Sequence, residues 1–318
     1  MPEHDGLLSL HELVGEDVLP SGAFEGLHDD PPDDPFLPFE RGPELPRIRP
    51  ILVVLAARAS GQDSDADLQR AAELLHKALA VHDVALGREG GRRRRVARRV
   101  LKRGVTWLGG NHLTLRAIEL AQAARPDVLG DLLSTVREFA DGHELMAELQ
   151  EGRPPTREDW MEHADRHTGA LFAFCCKVGA KTSANPRISE DLARYGRHLG
   201  RLWHIAEDVA VLQQVELQQA LVARALAGRP MLPVACAIER TPSVGRLWTQ
   251  LVSHPSDGAA SWLAGLVAES GGLTAARERM LQESWNARQA LHSVPESHYR
   301  TALERLVGSV AVASIRTR

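Results

Sequence analysis

Two stretches of this chain gather carboxylates and imidazoles at helical spacing. One reads Ala-Val-His-Asp-Val-Ala-Leu-Gly, from Ala80 to Gly87, and the other Leu-Trp-His-Ile-Ala-Glu-Asp-Val-Ala-Val, from Leu202 to Val211. Imidazole together with carboxylate suits zinc, iron or manganese, so His82, His167 and His204 with Asp83, Glu207 and Asp208 form one conceivable ligand set. No tight pair such as His-x-x-x-His supports it. Arg49, Arg92 and Arg93 carry planar guanidinium groups, which hold phosphate in two-pronged fashion with or without a metal. The basic run Arg92-Arg-Arg-Arg95, Arg98, Arg99, Lys102 and Arg103 could meet nucleic acid or anionic lipid. Only Trp107 stands near it as an aromatic, and no nucleic-acid module is visible, so nucleic acid is disfavoured. The bland readings are structural: His76 as a packed core residue, Glu207 and Asp208 facing a wet cavity, and the charge run as a solvated face.

These residues need elements to position them, and from Arg47-Ile-Arg-Pro50 onward the chain reads as helix after helix with almost no strand signal. The expected helices are 50–60, 65–86, 92–123, 127–150, 156–182, 187–227, 232–239, 243–254, 258–269, 272–292 and 296–314. Their breaks carry turn residues: Ser60-Gly61, Gly87 to Gly91, Gly152 to Pro155, Asn185-Pro186 and Gly228 to Pro230. Thr156-Arg-Glu-Asp159 is a capping start. Residues 47–318 are expected to form one helical domain, since no composition shift divides them.

Composition agrees. Of 318 residues 43% are hydrophobic but only 4% aromatic, which favours helices packed through small and aliphatic side chains over a β-sandwich. Three cysteines, Cys175, Cys176 and Cys236, are too few and badly spaced for a zinc site or disulfide framework, so a reducing cytoplasm is expected. No apolar run approaches the roughly 20 residues of a membrane span, and the acidic start does not read as a signal peptide. The net charge of −4 hides an asymmetry: residues 1–46 carry twelve carboxylates and one Arg, whereas Arg88 to Arg103 carries nine basic groups against Glu89 alone. Residues 1–46, rich in Pro, Asp and Gly, read as a flexible arm. Spaced apolar residues within it, from Leu7 to Val18 and at Phe36 and Phe39, suit docking onto a protein partner or back onto the basic run.

The order of landmarks resembles the trans-isoprenyl diphosphate synthases, the polyprenyl synthetase family. Arg47-Ile-Arg-Pro-Ile-Leu52 is similar to the family's Gly-Lys-x-x-Arg-Pro start. Glu73-Leu-Leu-His76 leads into the first aspartate-rich motif at Asp83, and Arg92-Arg93 follows at the distance of the diphosphate-binding Arg pair. Gly110-Asn111, His167-Thr168-Gly-Ala-Leu-Phe172, Tyr195 to Gly200 running into Trp203 to Asp208, and Gly228-Arg-Pro-Met-Leu-Pro233 continue the series in order.

The resemblance implies an all-α isoprenoid-synthase bundle. It also implies a site in which Arg49, His76, Arg92, Arg93, His167, Thr168 and His204 bind diphosphate while Asp83, Glu207 and Asp208 form a residual Mg2+ rim. The family's magnesium neutralises the diphosphate that leaves as an allylic carbocation forms, and its Asp-Asp-x-x-Asp spacing places i and i+4 on one helix face. Here Val84, Gly87 and Val211 stand where aspartates belong, so three of six carboxylates remain. Glu89, six residues after Asp83, lies about 240° around a helix and cannot stand in. His167 replaces a phosphate-binding Lys and Asn111 an Asp. The expected function is a catalytically impaired or inactive homologue that acts in binding, scaffolding or regulation. The alternative is an active prenyltransferase that joins isopentenyl diphosphate to an allylic diphosphate through an unusual metal site. The resemblance further implies a homodimer, or a heterodimer with an active synthase.

Overall fold

The computed structural model describes residues 48–86, 96–181, 185–214 and 217–316. Among them there is no strand, only helices and their connections. We label the helices α1 (Ile48–Ala59), α2 (Ala66–Leu86), α3 (Val96–Ala124), α4 (Leu129–Leu149), α5 (Arg157–Ala164), α6 (Ala170–Ala180), α7 (Pro186–Gln213), α8 (Gln218–Leu226), α9 (Leu232–Arg240), α10 (Pro242–Ser253), α11 (Asp257–Glu269), α12 (Gly272–Ala290) and α13 (His298–Arg316). The all-α bundle read from the sequence is therefore the fold observed. The acidic stretch 1–46 and residues 87–95, which include Arg92 and Arg93, lie outside the described residues.

The sequence shows why α1 sits at the centre. Its run Ile51-Leu-Val-Val-Leu55 is apolar on every face, and each of these five side chains is 0–1% exposed. A helix apolar all round must be surrounded. α2, α6 and α13 pack around it, and α7 lies across α6 and α12. A second apolar cluster joins the end of α7 (Val211, Leu212) to α8–α11 through Leu221, Met231, Val234, Trp248 and Leu263.

Capping follows the sequence. The Thr156 hydroxyl accepts the Asp159 N–H at 3.1 Å and the Asp159 carboxylate accepts the Thr156 N–H at 2.7 Å, which closes a reciprocal box at the start of α5. Thr156→Ala should cost about 1 kcal/mol, read as a lowered midpoint in denaturant unfolding. A midpoint unchanged from the parent would show that Arg153, which also holds Asp159, suffices to start the helix.

Two expected helices are interrupted. The stretch 156–182 contains a π-helical turn over Asp165–Gly169 between α5 and α6. The stretch 187–227 breaks after Gln213, where Gln214 turns extended (φ −100°, ψ 118°), and helix resumes at Gln218. Neither break is immediately preceded by a Gly or Pro, although Gly169 closes the π-turn. Both are set by tertiary contacts, and both shape the site.

Candidate functional site

Asp83, near the end of α2, is enclosed by groups from three other segments. His167 Nε2 from the π-turn lies 2.9 Å from Oδ2 and Arg229 Nη2, just beyond α8, lies 2.8 Å from the same atom. His143 Nε2 of α4 lies 3.0 Å from Oδ1. The other ring nitrogen of His143 donates to the Phe139 carbonyl at 3.0 Å. Burial alone would push the Asp83 carboxyl up. The charge of His167, the close approach of His143, the hydrogen bond from His167 and the charge of Arg229 outweigh it and hold the group well below the usual carboxylate range.

The second acidic pair meets a different cation. Asp208, fully buried in α7, accepts from Arg224 Nη1 at 2.6 Å on Oδ1, and from Trp160 Nε1 at 2.8 Å and the Leu232 N–H at 3.0 Å on Oδ2. Glu207 accepts from Trp203 Nε1 at 2.9 Å and lies 3.5 Å from Arg224 Nη2. Burial pushes the Asp208 carboxyl up to about 6, against the pull of Arg224, the Leu232 N–H and the Trp160 N–H. At neutral pH the pair with Arg224 is an ion pair.

Between the two lies a packed set of imidazoles. His163 and His204 approach edge to face with ring centres 5.1 Å apart, and His163 lies 5.2 Å from His167. Thr168 Oγ1 is 3.2 Å from His204 Nδ1. Burial, aided by neighbouring positive charge, holds His163 and His204 well below the ordinary histidine value, and the buried Nε2 of each has no hydrogen-bond partner. The π-turn creates this set by inserting an extra residue into the helix, a feature that recurs at functional sites. Asp165 anchors the turn through Arg201 Nη2 at 2.7 Å, and Gly200 lets α7 lie directly against the Thr168 carbonyl, where a Cβ would meet it at 2.6 Å.

Arg49 of α1 lies 5.6 Å from the centre of the Phe172 ring, and its Nε is buried without a partner. Burial and then the Arg49 charge depress His76, which also senses His167 and Asp83. Arg49, His76, Asp83, His167, Thr168 and His204 thus come to one region. Arg92 and Arg93 lie outside the described residues. A small cavity of about 120 Å³ opens beside Asp83, lined by His143, Met146, Gln150, Ala227 and Arg229.

His82 turns away from this region. Its ring packs edge-on to Trp107 at 4.7 Å and against Gly110, where a Cβ would fall 2.7 Å from it. The grouping of His82, His167 and His204 with Asp83, Glu207 and Asp208 does not form: among the described residues no three His, Cys, Asp or Glu side chains are placed to hold a metal ion. The same holds for Asp83, Glu207 and Asp208 as one rim. The magnesium that the resemblance implies needs oxygen ligands converging near-octahedrally. All six oxygens of these carboxylates instead lie within 3.5 Å of a protein nitrogen. As arranged, the residues do not fit that ion.

His143, His163, Trp160 and Arg224 escape sequence reasoning, because each reaches the site through tertiary packing and none has a local spacing that sets it apart. Arg229 is legible only as the second residue of Gly228-Arg-Pro-Met-Leu-Pro233.

Comparison with known proteins agrees with this architecture. The chain is 29% identical over 269 residues, 82% of each sequence, to an all-trans-nonaprenyl-diphosphate synthase (geranyl-diphosphate specific) of Rhodobacter capsulatus. It is 26% identical over 284 residues, 86% of each sequence, to octaprenyl diphosphate synthase of Escherichia coli. A polyprenyl synthase from Caulobacter crescentus, solved with calcium and isoprenyl diphosphate, superposes with a TM-score of 0.71 at 26% identity over 86% of this chain and 85% of that one. The polyprenyl synthetase family model matches residues 46–258, and the chain belongs to that family.

Proposed function

We propose that this chain is a polyprenyl synthetase homologue in which prenyl transfer is impaired or lost and which acts by binding, as a scaffold or regulator. One observation carries the reading: every oxygen of the three remaining carboxylates already faces a nitrogen of the protein itself. Elongation requires the charge on a leaving diphosphate to be neutralised as the allylic bond ionises. Magnesium, when bound, supplies that neutralisation. Each lost electrostatic stabiliser typically removes roughly 3 kcal/mol from the transition state. With Val84, Gly87 and Val211 in place of aspartates, and His167 in place of the fixed charge of a Lys, several such losses fall on one centre.

What the chain's own groups can still do is hold an anion. Arg49, His76, Arg92 and Arg93 would supply charge and hydrogen bonds, with Thr168 and His204 beneath His167. Binding of an isoprenoid diphosphate should therefore depend little on magnesium. Arg93→Ala should weaken it by about 1.5–3 kcal/mol, the worth of a hydrogen bond to a charged group, measured by calorimetry with and without Mg2+. No heat of binding to the parent protein would leave a purely structural role.

The second reading is an active prenyltransferase with an unusual metal site, and the synthase names of its relatives favour it. For partners, a homodimer or a heterodimer with an active synthase fits the exposed Trp107, Leu108 and Leu115 of α3 (43%, 63% and 59% exposed). Light scattering that gives a monomer at micromolar concentration would remove the homodimer. The three described cysteines are free and buried, which supports a cytoplasmic setting, and no described helix is long and apolar enough to cross a membrane.

A further inference from the structure

Glu207 and Asp208 form a seat for one cation. Each uses one oxygen on a neutral indole donor, Trp203 for Glu207 Oε1 and Trp160 for Asp208 Oδ2, the latter shared with the Leu232 N–H. Each turns its other oxygen, Oε2 or Oδ1, toward the same positive group, at 3.5 and 2.6 Å. Neutral donors that fix the outer oxygen of a ligating carboxylate are what orients the inner oxygen in metal sites. Here the group in the seat is the guanidinium of Arg224.

The chain is built to bring that arginine in. The break after Gln213 ends α7 one turn beyond the acidic pair, and α8 returns so that Arg224 reaches back sixteen residues. The segment is then pinned on α4. Gly228 takes a left-handed conformation (φ 69°) so close to the Met146 carbonyl that a Cβ would fall 2.2 Å from it, and Gln150 Nε2 donates to the Ala227 carbonyl at 3.2 Å. One residue past that pin, Arg229 meets Asp83. A single short segment thus delivers a cation to each acidic motif.

We propose that Arg224 is a built-in replacement for a divalent cation, and that the Glu207–Asp208 pair is a latent metal seat which the chain itself keeps filled. This rests on the reading that metal-dependent transfer is impaired, and adds how the site came to do without the ion. A carboxylate as buried as Asp208 must be compensated. With Arg224 gone, an oxygen-seeking cation becomes the alternative to a proton.

The two indoles beside the seat provide the readout, since tryptophan close to Tb3+ sensitises its luminescence, and Tb3+ prefers oxygen ligands as the hard divalent ions do. The full-length protein should show no saturable sensitised emission from this seat. Arg224→Gln should raise Tb3+ affinity there by about tenfold or more, and adding Glu207→Gln should abolish the gain. If Arg224→Gln unfolds, recovery of its helical circular dichroism on adding Tb3+ is read instead, and absence of recovery overturns the proposal. A folded Arg224→Gln that gains no emission also overturns it, as does emission from the unmutated protein that Glu207→Gln removes. None of these outcomes depends on prenyl turnover, so the seat and the functional reading fail separately.

Discussion

Stability should fall steeply as pH drops from about 6 to about 4. His76, His163 and His204 are held well below the ordinary histidine value, each first by burial and then by nearby positive charge. In the unfolded chain they take up protons near the usual value of about 6.5, while in the folded protein they resist. The stability they contribute is therefore complete above about pH 6.5 and is lost as pH falls toward their folded values, at about 1.4 kcal/mol per pH unit for each. Asp208 works the other way. Burial raises it to about 6, so between about 6 and 4 the folded state binds its proton more tightly than the unfolded state does, which offsets one histidine. The net expectation is a fall in stability as pH drops below about 6.5, since three depressed histidines act against one raised carboxylate. Asp83, depressed by His167, His143 and Arg229 against its burial, adds a further loss below about pH 4. Denaturant midpoints at pH 7, 6 and 5 would measure this. A flat profile would mean that the imidazoles are charged or solvated in the native state.

Gly196→Ala should be strongly destabilising for the addition of a single methyl group. α6 and α7 touch backbone to backbone there: a Cβ would stand 2.4 Å from the Phe172 carbonyl oxygen, 2.7 Å from its carbon and 2.9 Å from the Ala173 Cα. None of these atoms can rotate away, so the two helices must separate, at a cost of about 3 kcal/mol. The damage should reach the site, because α7 carries His204 and the N-terminal end of α6 continues the turn bearing His167 and Thr168. We expect a lowered unfolding midpoint together with weakened diphosphate binding. Gly258→Ala, where a Cβ meets nothing within 4 Å, is the matched control. A variant as stable as this control would show that the two helices adapt more easily than their backbones suggest.

Much of the fold is legible in the sequence because helices announce themselves locally. The apolar run of α1, the box at Thr156 and Asp159, and Pro186 after Asn185, whose side chain accepts the Arg187 N–H at 3.1 Å, each mark an element that the structure contains. The breaks at Asp165 and Gln214 are not legible. They arise where α7 presses on the π-turn through Gly200 and where α8 folds back over Asp208, contacts that no local pattern encodes. The site divides in the same way. Asp83, His167, Thr168, His204, Glu207 and Asp208 stand out as landmarks of a family pattern. What the carboxylates do is decided by His143, Arg224, Arg229 and Trp160, whose partners lie from 16 to 146 residues away. A missing aspartate can be read from a sequence. The arginines that take up the remaining ones, Arg224 and Arg229, cannot be read as doing so.

The most direct test of the account is turnover. The full-length protein would be incubated with magnesium, isopentenyl diphosphate and each common allylic diphosphate in turn, and the products analysed for chain elongation. The account predicts no elongated product beyond trace. Robust elongation with any of these primers would contradict it, because it would mean that the ion pairs at Asp83 and Asp208 open to admit a working metal centre.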